Sequence, residues 1–171
     1  MAGFMTRGKL WRIGSVAAVP AAVLLVLAGG CAAVHKGDVQ PADVESKGHA
    51  LVRQTLAAIR PVTGTTKTTV FDQGWTRCAT ETPGQHRFDY TFFVHVAVPG
   101  SKVRSVVAAA RADFARRGYT DEYVPEAATG AVAAPPKSTW RIDIGADKGA
   151  TVLLGVDSDC VFTRHDPKTV K

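Results

Sequence analysis

Between Arg87 and Pro99 the side chains alternate without interruption: Phe88, Tyr90, Phe92, Val94, Val96 and Val98 fall on one side, and Asp89, Thr91, Phe93, His95 and Ala97 on the other. Period two over that length predicts a long β-strand with one strongly apolar face. Such a strand needs partners along both edges and a layer that covers its apolar face. Two other segments carry the pattern of a covering layer. Val44, Gly48, Leu51, Val52, Thr55, Leu56 and Ile59 recur at helical spacing behind Pro41, a residue suited to a first helical turn. Asp43 and Glu45 near the start and Arg60 near the end suit the helix dipole, and Pro61 is expected to stop the helix. In the second segment Val103, Val106, Val107, Ala110 and Phe114 share a face. Ser101 is placed to cap its start, and Gly118 to end it after Arg116 and Arg117.

Further strands are expected at Thr65–Asp72, Tyr119–Val124, Thr139–Ile144 and Ala150–Val156, with Asp147-Lys148-Gly149 as the turn between the last two. Thr80–His86 reads as a loop, and so does the Ala/Pro-rich stretch Ala127–Pro136. The order helix, two strands, helix, three strands predicts an α+β fold. It would be a two-layer sandwich, an antiparallel sheet of about five strands with two helices on one face.

The first thirty residues do not belong to that domain. Arg7, Lys9 and Arg12 form a basic start, Ile13–Ala28 is mostly apolar, and small residues lead into Cys31. This is the order of a secretory signal. The apolar run is short of the roughly 20 residues that span a bilayer core. Leu27-Ala28-Gly29-Gly30-Cys31 resembles the lipobox of bacterial lipoproteins, although Ala28 stands where leucine is commoner. There a thiol is needed to receive a diacylglyceryl group as a thioether, and small side chains fit the peptidase cleft. Residues 1–30 are thus expected to be a removed signal peptide, and 31–40 a lipidated cysteine with a short tether. Residues 41–166 would form one domain and 167–171 a polar tail. The expected location is the extracytoplasmic face of a cell membrane, with the membrane as partner through lipid on Cys31. An ordinary secretory signal would instead leave Cys31 as a free thiol, odd among three cysteines. Residues 32–40 reach at most roughly 30 Å, which keeps the domain near the surface. The signal takes three of the 21 basic residues with it, and the remainder, set against 15 acidic residues, is only mildly basic. No clustered basic stripe calls for nucleic acid.

Cys78 and Cys160 are expected to pair, as two cysteines in an exported domain do. Closing so long a loop is worth about 4 kcal/mol in the chain-entropy model. The alternative is a catalytic thiol with His86 or His165 as its base. His86 with Asp89, and Asp157, Asp159, His165 and Asp166, invite a metal reading. No His-x₃-His or Cys-x₂-Cys spacing supports one, and no metal or cofactor is expected. Gly-x-Ser-x-Gly and Gly-rich phosphate loops do not occur. His95 reads as a strand histidine opposite the apolar row, and Trp75 and Trp140 as core. Lys102, Arg104, Arg111, Arg116 and Arg117 make the second helix basic, a solvated face or one touching anionic headgroups.

The layout resembles small actinobacterial lipoproteins, a mostly uncharacterised group. The features are the signal with Cys31, Ile59-Arg60-Pro61, Gly74-Trp75-Thr76-Arg77-Cys78, Arg116-Arg117-Gly118-Tyr119 and Asp157-Ser158-Asp159-Cys160. The resemblance supports the pairing of Cys78 with Cys160 and carries no activity over. The function expected is non-enzymatic binding to an envelope protein or ligand. One alternative is a carrier of an apolar small molecule or lipid, with a sheet–helix cavity lined by Phe92, Val94 and Trp140. The other is an envelope hydrolase or thiol enzyme, with a cleft converging on His86, His95 or His165.

Overall fold

The alternating segment forms strand β2 (Arg87–Ala97), which accepts a neighbour along each edge. The computed structural model describes residues 39–64, 67–79, 86–122, 124–148, 151–168 and 171. The chain divides into two units, Met1–Ala33 and Val34–Lys171. The expected signal peptide, Cys31 and the expected tether up to residue 38 lie outside the described residues, as do most of the Thr80–His86 loop and Gly149 of the expected turn.

In chain order the elements are α1 (Pro41–Thr63), β1 (Thr68–Arg77), β2, α2 (Val103–Arg116), β3 (Thr120–Glu122), β4 (Gly130–Ala134), β5 (Trp140–Ala146), β6 (Thr151–Ser158) and β7 (Val161–Phe162). A single-turn 3-10 helix, Gly100–Lys102, precedes α2. The strands make one antiparallel sheet in the order β1-β2-β6-β5-β4-β3, and β7 pairs with the start of β2. Both helices cover the same face, α1 over β2 and β6, and α2 over β3, β4 and β5. This is the expected α+β sandwich, with a sheet of seven strands where about five were expected.

The two added strands explain the difference. β7 is two residues long and takes over from β6 along the same edge of β2. At the break, the Ser158 hydroxyl accepts the Tyr90 backbone N–H at 2.9 Å, so the buried amide keeps a partner. β4 lies inside the stretch Ala127–Pro136, which reads as a loop. Its Gly-Ala-Val-Ala-Ala sequence has weak strand propensity and is followed by two prolines. Pairing between β3 and β5 makes it a strand, and its small side chains Ala131 and Ala133, fully buried, let α2 sit close.

The helices need two smaller corrections. Pro61 does not stop α1, which runs on to Thr63 and ends at Gly64, whose φ of 80° and N–H to the Arg60 carbonyl close the last turn. Ser101 is not the cap of α2, because it lies inside the 3-10 turn. Gly118 does end α2, with φ 69°. Its N–H bonds to the Ala115 carbonyl and that of Tyr119 to Phe114, while the rings of Phe114 and Tyr119 stack at 5.8 Å.

The core lies between sheet and helices. Trp75, Phe88, Tyr90, Ile59, Ile142 and Leu154 are fully enclosed there, and each such side chain contributes about 1.5–3 kcal/mol on burial. Trp75 Nε1–H donates to Glu45 Oε1 at 2.9 Å, which satisfies its one polar atom. Gly48 sets the approach of α1: a Cβ there would stand 3.0 Å from both Trp140 Cη2 and Tyr90 Cε1. Cys78 and Cys160 are disulfide-bonded, tying the end of β1 to the turn between β6 and β7.

Candidate functional site

The face of the sheet away from the helices carries the other half of each alternation, and the strand register arranges it in rows. One row runs Asp72, Phe93, Gly155, Asp143, Val132, Glu122 across six strands. A second runs Thr69, His95, Leu153, Gly145, Gly130. In the first row the ring of Phe93 lies directly over Gly155, where any side chain would collide with it. In the second row Gly145 and Gly130 stand opposite each other and leave a gap. A Cβ on Gly145 would meet only backbone at 3.7 Å or beyond, so the space above it is open.

The result is a hollow of about 260 Å³. Backbone of β4 and β5 makes its floor, Phe93, Leu153, Val132 and Val124 its walls, and Asp143 and Asp147 its polar positions. Val124 leans over Gly130, its Cγ1 3.1 Å from where a Cβ would stand. Glycine inside a strand commonly marks such a close approach or open space.

Charge is concentrated beside this hollow. Arg141 Nε lies 3.6 Å from Asp143 Oδ2, and its Nη2 3.6 Å from Asp157 Oδ2. One guanidinium therefore serves two carboxylates, with Glu122 close enough to add to the repulsion. Burial pushes the Asp143 carboxyl up to about 6, helped by its hydrogen bond with Asp157 and opposed by Arg141. The cause is visible in the register, with Val132 on one side and the Phe93 ring on the other. At the far rim His95 Nε2 is 2.7 Å from Asp147 Oδ2, and the exposed Phe71 ring rests on His95 at 4.7 Å between centroids. The backbone N–H of Lys148, and then His95, hold Asp147 below the usual carboxylate range. A second, more polar hollow of about 350 Å³ adjoins Arg141 and Asp157 toward Trp140 and Asp159.

The residues singled out in the sequence are distributed differently. His86 Nδ1 and Arg77 Nη2 engage Asp166 at 2.6 and 3.1 Å, and His86 with Arg77 lowers that carboxyl. This is an exposed cluster by the disulfide. His86 and His95 stand at opposite ends of β2, roughly 30 Å apart at the rise of a strand, so no cleft gathers both. His165 is exposed. Asp157 joins Arg141 and Asp143, while Asp159 lies in the turn before Cys160. Among the described residues, no group of three or more His, Cys, Asp or Glu is arranged to hold a metal. The space between sheet and helices, where Phe92, Val94 and Trp140 would line a carrier cavity, is occupied by the Gly48–Trp140–Tyr90 contact and the surrounding core. The open hollow lies on the opposite face. Just past α2, Arg117 donates to Gln54 Oε1 at 2.8 Å, and on α2 Arg111 donates to the Gly130 carbonyl at 2.9 Å, so part of this basic group holds the fold together.

Phe93, Asp143, Gly145 and Asp147 form a group that the sequence pattern does not single out. Gly145 and Gly155 inside strand patterns are the available signal. No family model, curated protein or solved structure matches the chain, and the geometry alone carries the reading.

Proposed function

We propose that the chain is an exported lipoprotein, held at the outer face of a membrane by lipid on Cys31, whose domain binds a small ligand in the hollow on its open sheet face. The observation that carries the binding reading is the pair Gly145 and Gly130. Both positions lack a side chain where the alternation of neighbouring strands supplies apolar walls; Val124 closes over Gly130, and the space above Gly145 meets only backbone. Ligand sites are concave, mostly apolar and furnished with a few polar groups, as this one is. The reading of its location is supported by the Cys78–Cys160 disulfide, a bond that persists in oxidising compartments. Two acyl chains on one cysteine suffice for stable anchoring.

The two halves are tested separately. Expressed in a bacterium that processes lipoproteins, the full chain is expected in the membrane fraction. Its mass should begin at Cys31 and include a diacylglyceryl group, and Cys31→Ser should release it. An unlipidated wild-type product would overturn the anchor. For binding, a screen of small apolar fragments by ligand-observed NMR should give hits on the wild-type domain that disappear in Gly145→Val. Hits that survive in Gly145→Val would place binding elsewhere.

A further inference from the structure

We propose that the hollow takes a compact organic cation, its apolar body between Phe93, Leu153 and Val132 and its ammonium group at the Asp143 carboxylate. The inference rests on the binding reading above and adds the ligand's charge. It starts from an imbalance: among the described residues, Asp143, Asp157 and Glu122 face a single guanidinium, that of Arg141, and Asp147 adds a further carboxylate at the rim. With Asp143, Asp157 and Glu122 ionised, the one guanidinium leaves this group net negative, while Asp147 has His95 as its partner; Asp143 holds its charge against an apolar wall. An entering cation supplies the missing countercharge where water is partly excluded, and there the attraction is strongest. An anion meets repulsion from the same groups. A neutral ligand gains from the walls alone.

An organic cation fits better than a metal ion. Among the described residues only Asp143 and Asp147 bring carboxylates to the hollow, and hard cations require six or more oxygen ligands or retained waters. Most of the remaining lining is hydrocarbon and backbone, which suits a body of carbon. The Phe93 ring adds a π-face of the kind that attracts ammonium groups. The hollow's 260 Å³ lies just below the usual range of ligand sites, about 300–1,000 Å³, which sets the size as compact.

Protonation should govern the site. Asp143 titrates near 6, with Arg141 on its own strand, Asp157 on β6 and Glu122 on β3 around it, and the His95–Asp147 pair at the far rim. At pH 7.5 the carboxylate is charged; at pH 5 it is mostly neutral.

The test uses three near-isosteric probes, cyclohexylmethylamine, cyclohexylmethanol and cyclohexanecarboxylate, titrated into the mature chain and followed by amide and methyl NMR shifts. The amine keeps its charge over the whole range, since alkylammonium groups titrate near 10. At pH 7.5 the amine is expected to bind about tenfold or more tighter than the alcohol, shifting Leu153 and Gly145, and the carboxylate should not bind. At pH 5 the amine should weaken by roughly tenfold, as Asp143 is protonated. Asp143→Asn should bring the amine down to the alcohol and abolish the pH dependence, while the alcohol is unaffected. Equal binding of amine and alcohol to the wild type would overturn the cation inference and leave the binding reading standing. A pH dependence that survives in Asp143→Asn would overturn the role of Asp143 and point to His95 and Asp147. If none of the probes shifts the hollow's signals, both readings fall.

Discussion

Two glycines on opposite sides of one sheet have opposite outcomes. Gly48, on the helix side, lacks a side chain because the rings of Trp140 and Tyr90 already occupy its place. Gly145, on the open side, lacks one and nothing among the described residues occupies the space. The helix face is closed by buried side chains, and its glycine serves contact. The open face keeps a hollow beside carboxylates that share one guanidinium, and its glycine leaves that space unfilled. The same alternation along β2, β5 and β6 builds both, so the contrast comes from what lies across from each strand rather than from the strands themselves.

Mutation can break this contrast, the largest effect first. Trp140→Ala should cost about 4 kcal/mol in urea unfolding, because a fully packed ring leaves a cavity. Phe93→Ala on the open face should cost about 1 kcal/mol, since its ring is only half-buried. Similar losses at the two positions would erase the distinction between the faces. Gly48→Val is expected to lose about 2 kcal/mol through overpacking. Gly145→Val should stay within about 0.5 kcal/mol of wild type in the same assay. A Gly145→Val domain as unstable as Gly48→Val would mean that the hollow is not room for a side chain. The smallest effect is electrostatic. The folded-state pKa of Asp143 lies above its usual 3.8, so the neutral carboxyl favours folding at low pH. That contribution is lost as the pH rises through about 6. Asp143→Asn should therefore raise stability by about 1 kcal/mol at pH 7.5, a figure reduced for its partial exposure, and by nothing near pH 3.5. Thermal melts at the two pH values read this directly.

Much of the helix face is legible in the residue pattern alone. Val44, Leu51, Val52 and Ile59 on α1, and Val103, Val106, Val107, Ala110 and Phe114 on α2, are all buried where their spacing puts them. The disulfide is legible from the count of cysteines once export is expected. β4 is not legible, because Gly130–Ala134 owes its conformation to β3, β5 and α2 rather than to its own residues. The continuation of α1 through Pro61 is hidden for a related reason: a proline in the last turn removes one hydrogen bond without ending the favourable burial before it. The hollow is least legible of all. Phe93, Asp143, Gly145 and Leu153 come from three strands, and only the register, a long-range property, sets them beside one another.

The point where the N-terminal segment enters the domain has a mechanical consequence. Val39 pairs with Thr163, and its carbonyl accepts the Arg164 N–H at 3.0 Å. Thr163 N–H in turn reaches the His86 carbonyl at 2.7 Å, just ahead of β2, and Cys160 a few residues back is locked to Cys78. Tension applied at Val39 would therefore be shared between α1, into which it leads, and the Thr163 segment with its links to the central strand and the covalent staple.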